Sequence, residues 1–298
     1  MKDHIIRGMA AGNQIRFLAA YTKETVNTAR EIHDTSPLCT AALGRLLTGG
    51  ALMGAMCKND DDILTLKVQG NGPIKSITVT ADAKSNVKGF PYNNQVDLPL
   101  KPNGHLDVGG GVGLGVLTVI RDEGMGEPYV GQTALVSGEI GEDLTLYFAE
   151  SEQIPTSVGL GVLVDTDLSV RHAGGFIVQL LPFASEDTIT KLENSLSNVT
   201  SVTDFFEKGM SPEDMMRKIL GKDVFDTDIT IEDERPTQYH CNCSRDRVTK
   251  ALITLGPGEL TSMIRDGKPV NLHCDFCNSD YEFSVPELES LLEKMQPQ

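Results

Sequence analysis

The stretch His240-Cys241-Asn242-Cys243-Ser244-Arg245 is answered, thirty residues on (244–273 between the cysteine pairs), by Cys274-Asp275-Phe276-Cys277, which follows His273. Four of the chain's six cysteines lie in these two tight pairs. Two cysteines separated by one or two residues can place both sulfurs around one small ion, and two such pairs supply the four thiolates of a closed tetrahedral zinc site. The intervening run is longer than usual for such a site, and the first pair is Cys-x-Cys rather than Cys-x-x-Cys. Cys241, Cys243, Cys274 and Cys277 are therefore the expected metal ligands, with one zinc ion as cofactor. His240 and His273 each adjoin a cysteine, but four thiols already complete the set, so the histidines read as neighbours of the site rather than ligands.

Around these cysteines the segment 236–298 predicts a small domain. Ser244 caps a helix over 245–255, a short helix follows over 259–265, and strands 269–273 and 281–285 form a hairpin whose turn carries 274–277. Pro286 opens a closing helix to Met295. About 60 residues are too few to bury a firm core, so a metal staple is one complete account of the four cysteines. A switch is the other. Each pair is close enough in sequence to close into a disulfide, and the thiolates that hold a metal are the form oxidants attack. Oxidation would remove the ligands and with them the folding energy the metal supplies.

Upstream, 182–235 carries 13 acidic and 6 basic residues. Ser185 begins a helix with apolar residues from Ile189 to Phe206, ended by Gly209. Ser211-Pro212-Glu213-Asp214 begins a second, stopped at Gly221. The run 226–235 reads as acidic and irregular. Two short amphipathic helices cannot bury their apolar faces against each other alone, so this segment reads as a helical linker lying on something else.

Residues 1–181 read as a sheet-rich domain with flanking helices. Ile15–Tyr21 is its first predicted strand, and Lys23–His33 has helical composition. Ser36-Pro37 starts a small-residue helix running to Met56 across Gly49-Gly50. Strands are expected over 63–68, 74–80, 114–120, 129–136, 144–148, 160–164 and 175–181, with a turn at Gly70-Asn71-Gly72-Pro73. The whole is an α+β chain: N-terminal core, helical linker, and small C-terminal zinc domain with four cysteine ligands.

Several function classes are disfavoured. The run Gly109-Gly110-Gly111-Val112-Gly113-Leu114-Gly115 lacks the G-x-G-x-x-G spacing and no G-K-[ST] follows, so it reads as a flexible turn or the start of a bulged strand. No G-x-S-x-G elbow is present. A net charge of −16 argues against nucleic acid, as do 9 acidic against 6 basic residues in 241–298, although a zinc-ribbon nucleic-acid module is the alternative the cysteines allow. Cys274-x-x-Cys277 lies in a hairpin rather than at the helix start of a thioredoxin-like unit, so no enzyme is expected. No apolar run reaches transmembrane length, and Asp3 and Asn13-Gln14 make a poor signal peptide. Clustered cysteines without a secretion signal point to the cytoplasm. Cys39 and Cys57 lack a basic partner and read as core.

Over essentially its whole length the chain resembles the redox-regulated 33-kDa heat-shock holdase chaperones, the 33 kDa chaperonins of the bacterial cytoplasm. The resemblance rests on Cys241-x-Cys243-Ser244-Arg245 and His273-Cys274-Asp275-Phe276-Cys277, supported by Gly70-Asn71-Gly72-Pro73, Ser151-Glu152-Gln153-Ile154-Pro155-Thr156 and Ala173-Gly174-Gly175. It implies that the reduced, zinc-loaded protein is inactive. Oxidant forms disulfides that would here be Cys241–Cys243 and Cys274–Cys277, zinc leaves, the linker and C-terminal domain lose structure, and the protein dimerises. The active form binds unfolding client proteins without ATP and passes them to ATP-dependent foldase chaperones. Met210, Met215 and Met216 would then be adaptable client contacts, or fillers of helix–core gaps.

Overall fold

In the computed structural model, which describes residues 1–124 and 126–295, strand β1 (His4–Ala10) pairs antiparallel with β2 (Ile15–Tyr21). Helices α1 (Lys23–His33) and α2 (Pro37–Gly54) follow. Next come β3 (Ile63–Gly70), β4 (Ser76–Asp82), β5 (Asn86–Pro91), the short helix α3 (Val108–Val112), β6 (Gly115–Asp122) and β7 (Tyr129–Ala134). Helix α4 (Gly141–Tyr147) runs on into a π-helical turn at Phe148–Glu152, before β8 (Thr156–Val164) and β9 (Val170–Leu180). The expected linker holds α5 (Glu186–Ser197), α6 (Thr203–Glu207), α7 (Pro212–Leu220), α8 (Lys222–Phe225) and β10 (Thr230–Pro236), and β11 (Gln238–Tyr239) follows it. The remainder is α9 (Arg245–Thr254), α10 (Pro257–Arg265), β12 (Val270–Cys274), β13 (Ser279–Phe283) and α11 (Val285–Met295).

The chain divides into two compact units, Met1–His240 and the residues from Cys241 onward. In the first, a five-stranded sheet has the order β10-β1-β2-β9-β8 and a six-stranded sheet the order β11-β5-β4-β3-β6-β7. Helix α2 packs on strands of both sheets. Ser36 caps it by accepting from Cys39 N, and nearly every residue of the helix is buried. Its Gly50 is required by that closeness: a Cβ there would meet Val79 Cγ1 at 2.8 Å.

The five-stranded sheet is apolar on both faces. Along β2, Leu18 and Ala20 point to the α2 core, while Ile15, Phe17, Ala19 and Tyr21 point the other way. The second face is covered by 182–235: Leu192, Phe206, Met215, Met216, Ile219 and Leu220 all bury there. A strand buried on both faces reads as a continuous apolar run, as residues 17–21 of β2 do. The linker helices thus have the support they lack alone. Among the described residues, no helix is long and apolar enough to cross a membrane.

The structure corrects several sequence expectations. The first strand is β1, not 15–21; its Gly8 and Arg7 break the apolar pattern. Residues 144–148, expected as a strand, are helical. Leu144, Tyr147 and Phe148 have helical spacing and are all buried, while the Asp143 carboxylate fixes the helix start by accepting from the N–H groups of Val136, Ser137, Gly138 and Ile140. The glycine-rich run begins as helix α3, capped by Asp107, which accepts from Gly110 N. It folds against the Gly70–Pro73 turn, with Gly72 N donating to Val112 O at 2.8 Å. The expected single helix from Ser185 to Gly209 breaks after Ser197 into α5 and α6. The acidic run 226–235 is not irregular throughout: β10 is ordered by pairing with β1, a partner far away in sequence. The last three residues of the expected zinc domain, 296–298, lie outside the described residues.

Candidate metal centre

The second unit is built around one hairpin. Strands β12 and β13 pair antiparallel from Val270↔Phe283 to Cys274↔Ser279. The turn closes when Asn278, in the left-handed region at φ 54°, donates its N–H to Cys274 O at 2.8 Å, and Cys277 N donates to the same carbonyl. This turn holds Cys274 and Cys277 side by side. The other pair sits on the extended stretch that enters α9, where Ser244 accepts from Arg247 N and fixes the helix start. Arg245 clips the two halves together. Its guanidinium lies 4.4 Å above the Phe283 ring, and it donates to Glu282 O and pairs with Glu287 at 2.7 Å.

The sulfurs of Cys241, Cys243, Cys274 and Cys277 all lie within 4.8 Å of one another. Cys241 and Cys274 are 3.8 Å apart, and Cys243 and Cys277 3.0 Å, so these close approaches run across the sequence pairs. A tetrahedral ion with sulfur ligands at about 2.3 Å sets neighbouring sulfurs roughly 3.8 Å apart. The Cys241–Cys274 separation matches that spacing and the Cys243–Cys277 approach is tighter; four soft, half-buried donors converging on one point suit a single zinc-type dication.

The surroundings shift the thiols in opposite directions. Burial pushes Cys241 up to about 12 and also raises Cys274. Burial acts to raise Cys277 too, but hydrogen bonding with Ser279 and Cys243 outweighs it and draws that thiol down to about 6. Negative charge is therefore easily placed on one sulfur and resisted on the next. A dication at the centre would remove that resistance, with protons released as it binds.

Tyr281 and Ser279 are site residues that sequence reasoning missed. Tyr281 Oη lies 3.1 Å from Cys243 Sγ, and Ser279 Oγ 3.3 Å from Cys277 Sγ. The signal was present in the alternation of β13, which puts Ser279, Tyr281 and Phe283 on one face. His273 is not part of the cluster; its Nδ1 pairs with exposed Asp280 at 2.8 Å. His240 is absent from the cluster too, its backbone N–H donating to Val87 O. Cys39 is buried and Cys57 half-buried, and burial raises both thiols.

The other ligand-rich constellation among the described residues is His4, Glu213 and Glu234, which brings β1, α7 and β10 together. His4 Nε2 lies 3.2 Å from Glu213 Oε1. Further along the same face of the sheet, His172 pairs with Glu207 of α6 at 3.0 Å and lies 3.1 Å from Tyr21 Oη. Histidines of the core thus hold two of the linker's helices.

Known proteins are similar to this chain over nearly its full length. The family model described as Hsp33 protein matches residues 3–284. The 33 kDa chaperonin of Lachnoclostridium phytofermentans is 55% identical, with 98% of this chain and 99% of that protein covered. That of Agathobacter rectalis is 53% identical, with 98% and 100% covered. The crystal structure of the 33 kDa chaperonin (heat shock protein 33 homolog) from Thermotoga maritima superposes with a TM-score of 0.88 at 37% identity, covering 99% of each chain.

Proposed function

This chain belongs to the Hsp33 protein family, and from that premise we propose that it is a redox-regulated, ATP-independent holdase rather than an enzyme. The observation that carries the reading is the meeting of four sulfurs in a unit whose buried apolar cluster, among the described residues, is Leu252, Leu260, Phe283, Leu288 and Leu291. So small a core depends on its metal. Zinc, one ion held by Cys241, Cys243, Cys274 and Cys277 in the reduced form, supplies the cross-link that keeps this unit folded.

Oxidation acts on the same atoms. Each pair gives up two electrons and two protons to one peroxide, forming one S–S bond and two waters. The proposed bonds are Cys241–Cys243 and Cys274–Cys277. Two disulfides leave no thiolate to hold the ion, and the folding energy it supplied goes with it. In this reading 1–181 is the chaperone core, 182–235 the releasable cover and 236–298 the switch. The linker is next to loosen, and the apolar face of the five-stranded sheet receives unfolding proteins until ATP-dependent foldases take them. The oxidised form is a homodimer, and the protein works in the cytoplasm without nucleic acid or membrane.

The test is light scattering of a chemically denatured client. Suppression of aggregation by protein treated with peroxide under mild heating, but not by the reduced and zinc-loaded protein, is the expected result. Equal suppression by both would make the zinc site a mere staple. Suppression by neither would end the holdase reading.

A further inference from the structure

Strand β10 is a weak occupant of the edge it covers. It pairs antiparallel with β1, from His4↔Pro236 to Met9↔Thr230, with a register shift at Arg7/Gly8. Yet none of its seven residues is buried, and it carries Glu232, Asp233, Glu234 and Arg235 in a row. Acidic residues are poor strand formers, and exposed side chains add little packing. What holds β10 is its backbone ladder, the Arg235 guanidinium donating to Ala83 O at 3.1 Å, and the company of α7, whose Glu213 lies beside Glu234 and which belongs to the same continuous segment.

Helix α7 covers the face that β10 borders. Met215, Met216, Ile219 and Leu220 bury against the side of the sheet that presents Ile6 and Phe17. Departure of the segment 212–236 would uncover two features in register: a strand edge with free N–H and C=O groups, and a strip of alternating apolar side chains beside it. The edge also accepts close approach. Gly8 has no Cβ, and one there would meet Thr230 O at 2.2 Å and the Phe17 ring at 2.5 Å.

We propose that β1 is the client-recognition edge: an extended apolar segment of a non-native polypeptide adds to it as an antiparallel strand in the place of β10. Its alternate side chains then lie on the strip that α7 vacates. This rests on the holdase reading and names how that holdase binds. Main-chain hydrogen bonds are indifferent to sequence, as a binder of many unfolding proteins requires, while the apolar strip selects chains that have lost their fold. The acidic β10 is a stand-in that blocks the edge until released. Its poor strand composition lets a valine- or isoleucine-rich segment compete against it.

The experiment uses the full chain, either reduced and zinc-loaded or oxidised with peroxide under mild heating. The probe is a short synthetic peptide alternating valine with lysine, together with a twin N-methylated at alternate residues so that one edge cannot donate. The peptide is expected to bind the oxidised form alone, and the twin about tenfold more weakly or worse, since several ladder hydrogen bonds are lost. Hydrogen exchange supplies the location: β1 amides that face β10 are slow in the reduced form, fast after oxidation, and slow again with peptide. Three results overturn the proposal while leaving an aggregation-suppressing holdase intact. The twin binds as well as the parent; β1 stays unprotected with peptide bound; or β1 protection returns with protein concentration alone and excludes the peptide, so that a second copy fills the edge. An oxidised protein that suppresses no aggregation removes the holdase reading, and this one with it.

Discussion

At the scale of single residues, the four cysteines differ from the other two in what surrounds them. Cys274 anchors the hairpin turn through its carbonyl and the cluster through its sulfur. Its replacement by serine keeps the turn and removes one soft ligand. Cys274→Ser is therefore expected to lower zinc content in reductant and to make the C-terminal unit protease-sensitive without any oxidant; unchanged stoichiometry and resistance would separate the fold from the metal. Gly8 gives a test at the opposite end of the chain. The Cβ of Gly8→Ala would press on Thr230 O and the Phe17 ring, at a cost of roughly 1–3 kcal/mol. Because β10 holds its edge weakly, the strain falls there, and faster exchange of β10 amides than of β2 amides is the expected outcome. The cysteines were legible in the sequence because spacing alone brings two thiols together. Tyr281 and Gly8 were not, because their importance lies in neighbours 38 residues away (Cys243) and at Thr230, on a strand whose pairing no local pattern announces.

At the scale of elements, the proposed switch depends on how firmly the segment 182–235 is attached to the sheet. Helix α7 begins with a reciprocal cap, Ser211 and Asp214 each accepting the other's backbone N–H, and Met216 is fully buried beneath it. Met216→Ala is expected to weaken docking by about 2–5 kcal/mol and to let the reduced protein suppress aggregation in part. Helix α6 adds a pH dependence. Burial holds His172 below its usual value, against the pull of Glu207; Lys23 and Arg171 also lower it. The docked state therefore favours neutral imidazole, whose Nε2–H donates to Glu207 while Nδ1 accepts from Tyr21 Oη. Once α6 detaches, the ring titrates nearer about 6.5 and takes up a proton more readily. Docking is complete above that pH and weakens as pH falls through the lower, docked value. Protection factors of α6 amides, with the intrinsic slowing of exchange at lower pH divided out, should fall between neutral and mildly acidic pH, and the step should vanish in His172→Gln; an unchanged step would assign it to another group. Helices such as α2 and α7 were legible from Ser-Pro starts because capping is local chemistry. Strand β10 was hidden for the opposite reason. Its acidic sequence disfavours a strand, and only the waiting edge of β1 makes it one.

At the scale of the whole molecule, the two units have unequal means of staying folded. Residues 1–240 contain two large apolar clusters on either side of the five-stranded sheet, whereas among the described residues the unit from Cys241 buries five apolar side chains and packs the rest half-exposed around them. Below about 40–60 residues an apolar core is marginal and a metal is a common supplement. If zinc is that supplement, it stabilises only the unit whose unfolded chain binds it poorly, by about 2.7 kcal/mol at a free concentration one hundred times the dissociation constant. Calorimetry of the reduced protein should then give two transitions. The smaller should move upward with free zinc and disappear with a chelator, while the larger stays where it is. A chelated, reduced protein that keeps both transitions would mean that the apolar cluster around Leu252 and Leu288 suffices without metal. Oxidation could not then unfold the unit by freeing the ion, and any switch would have to act through the disulfides themselves. Coupled loss of both transitions would be equally telling, because it would make 182–240 a path of cooperative unfolding rather than a cover that opens above an intact core. The expected pattern leaves the sheet standing after the metal is gone, and a standing sheet is what a binding face for unfolding chains requires.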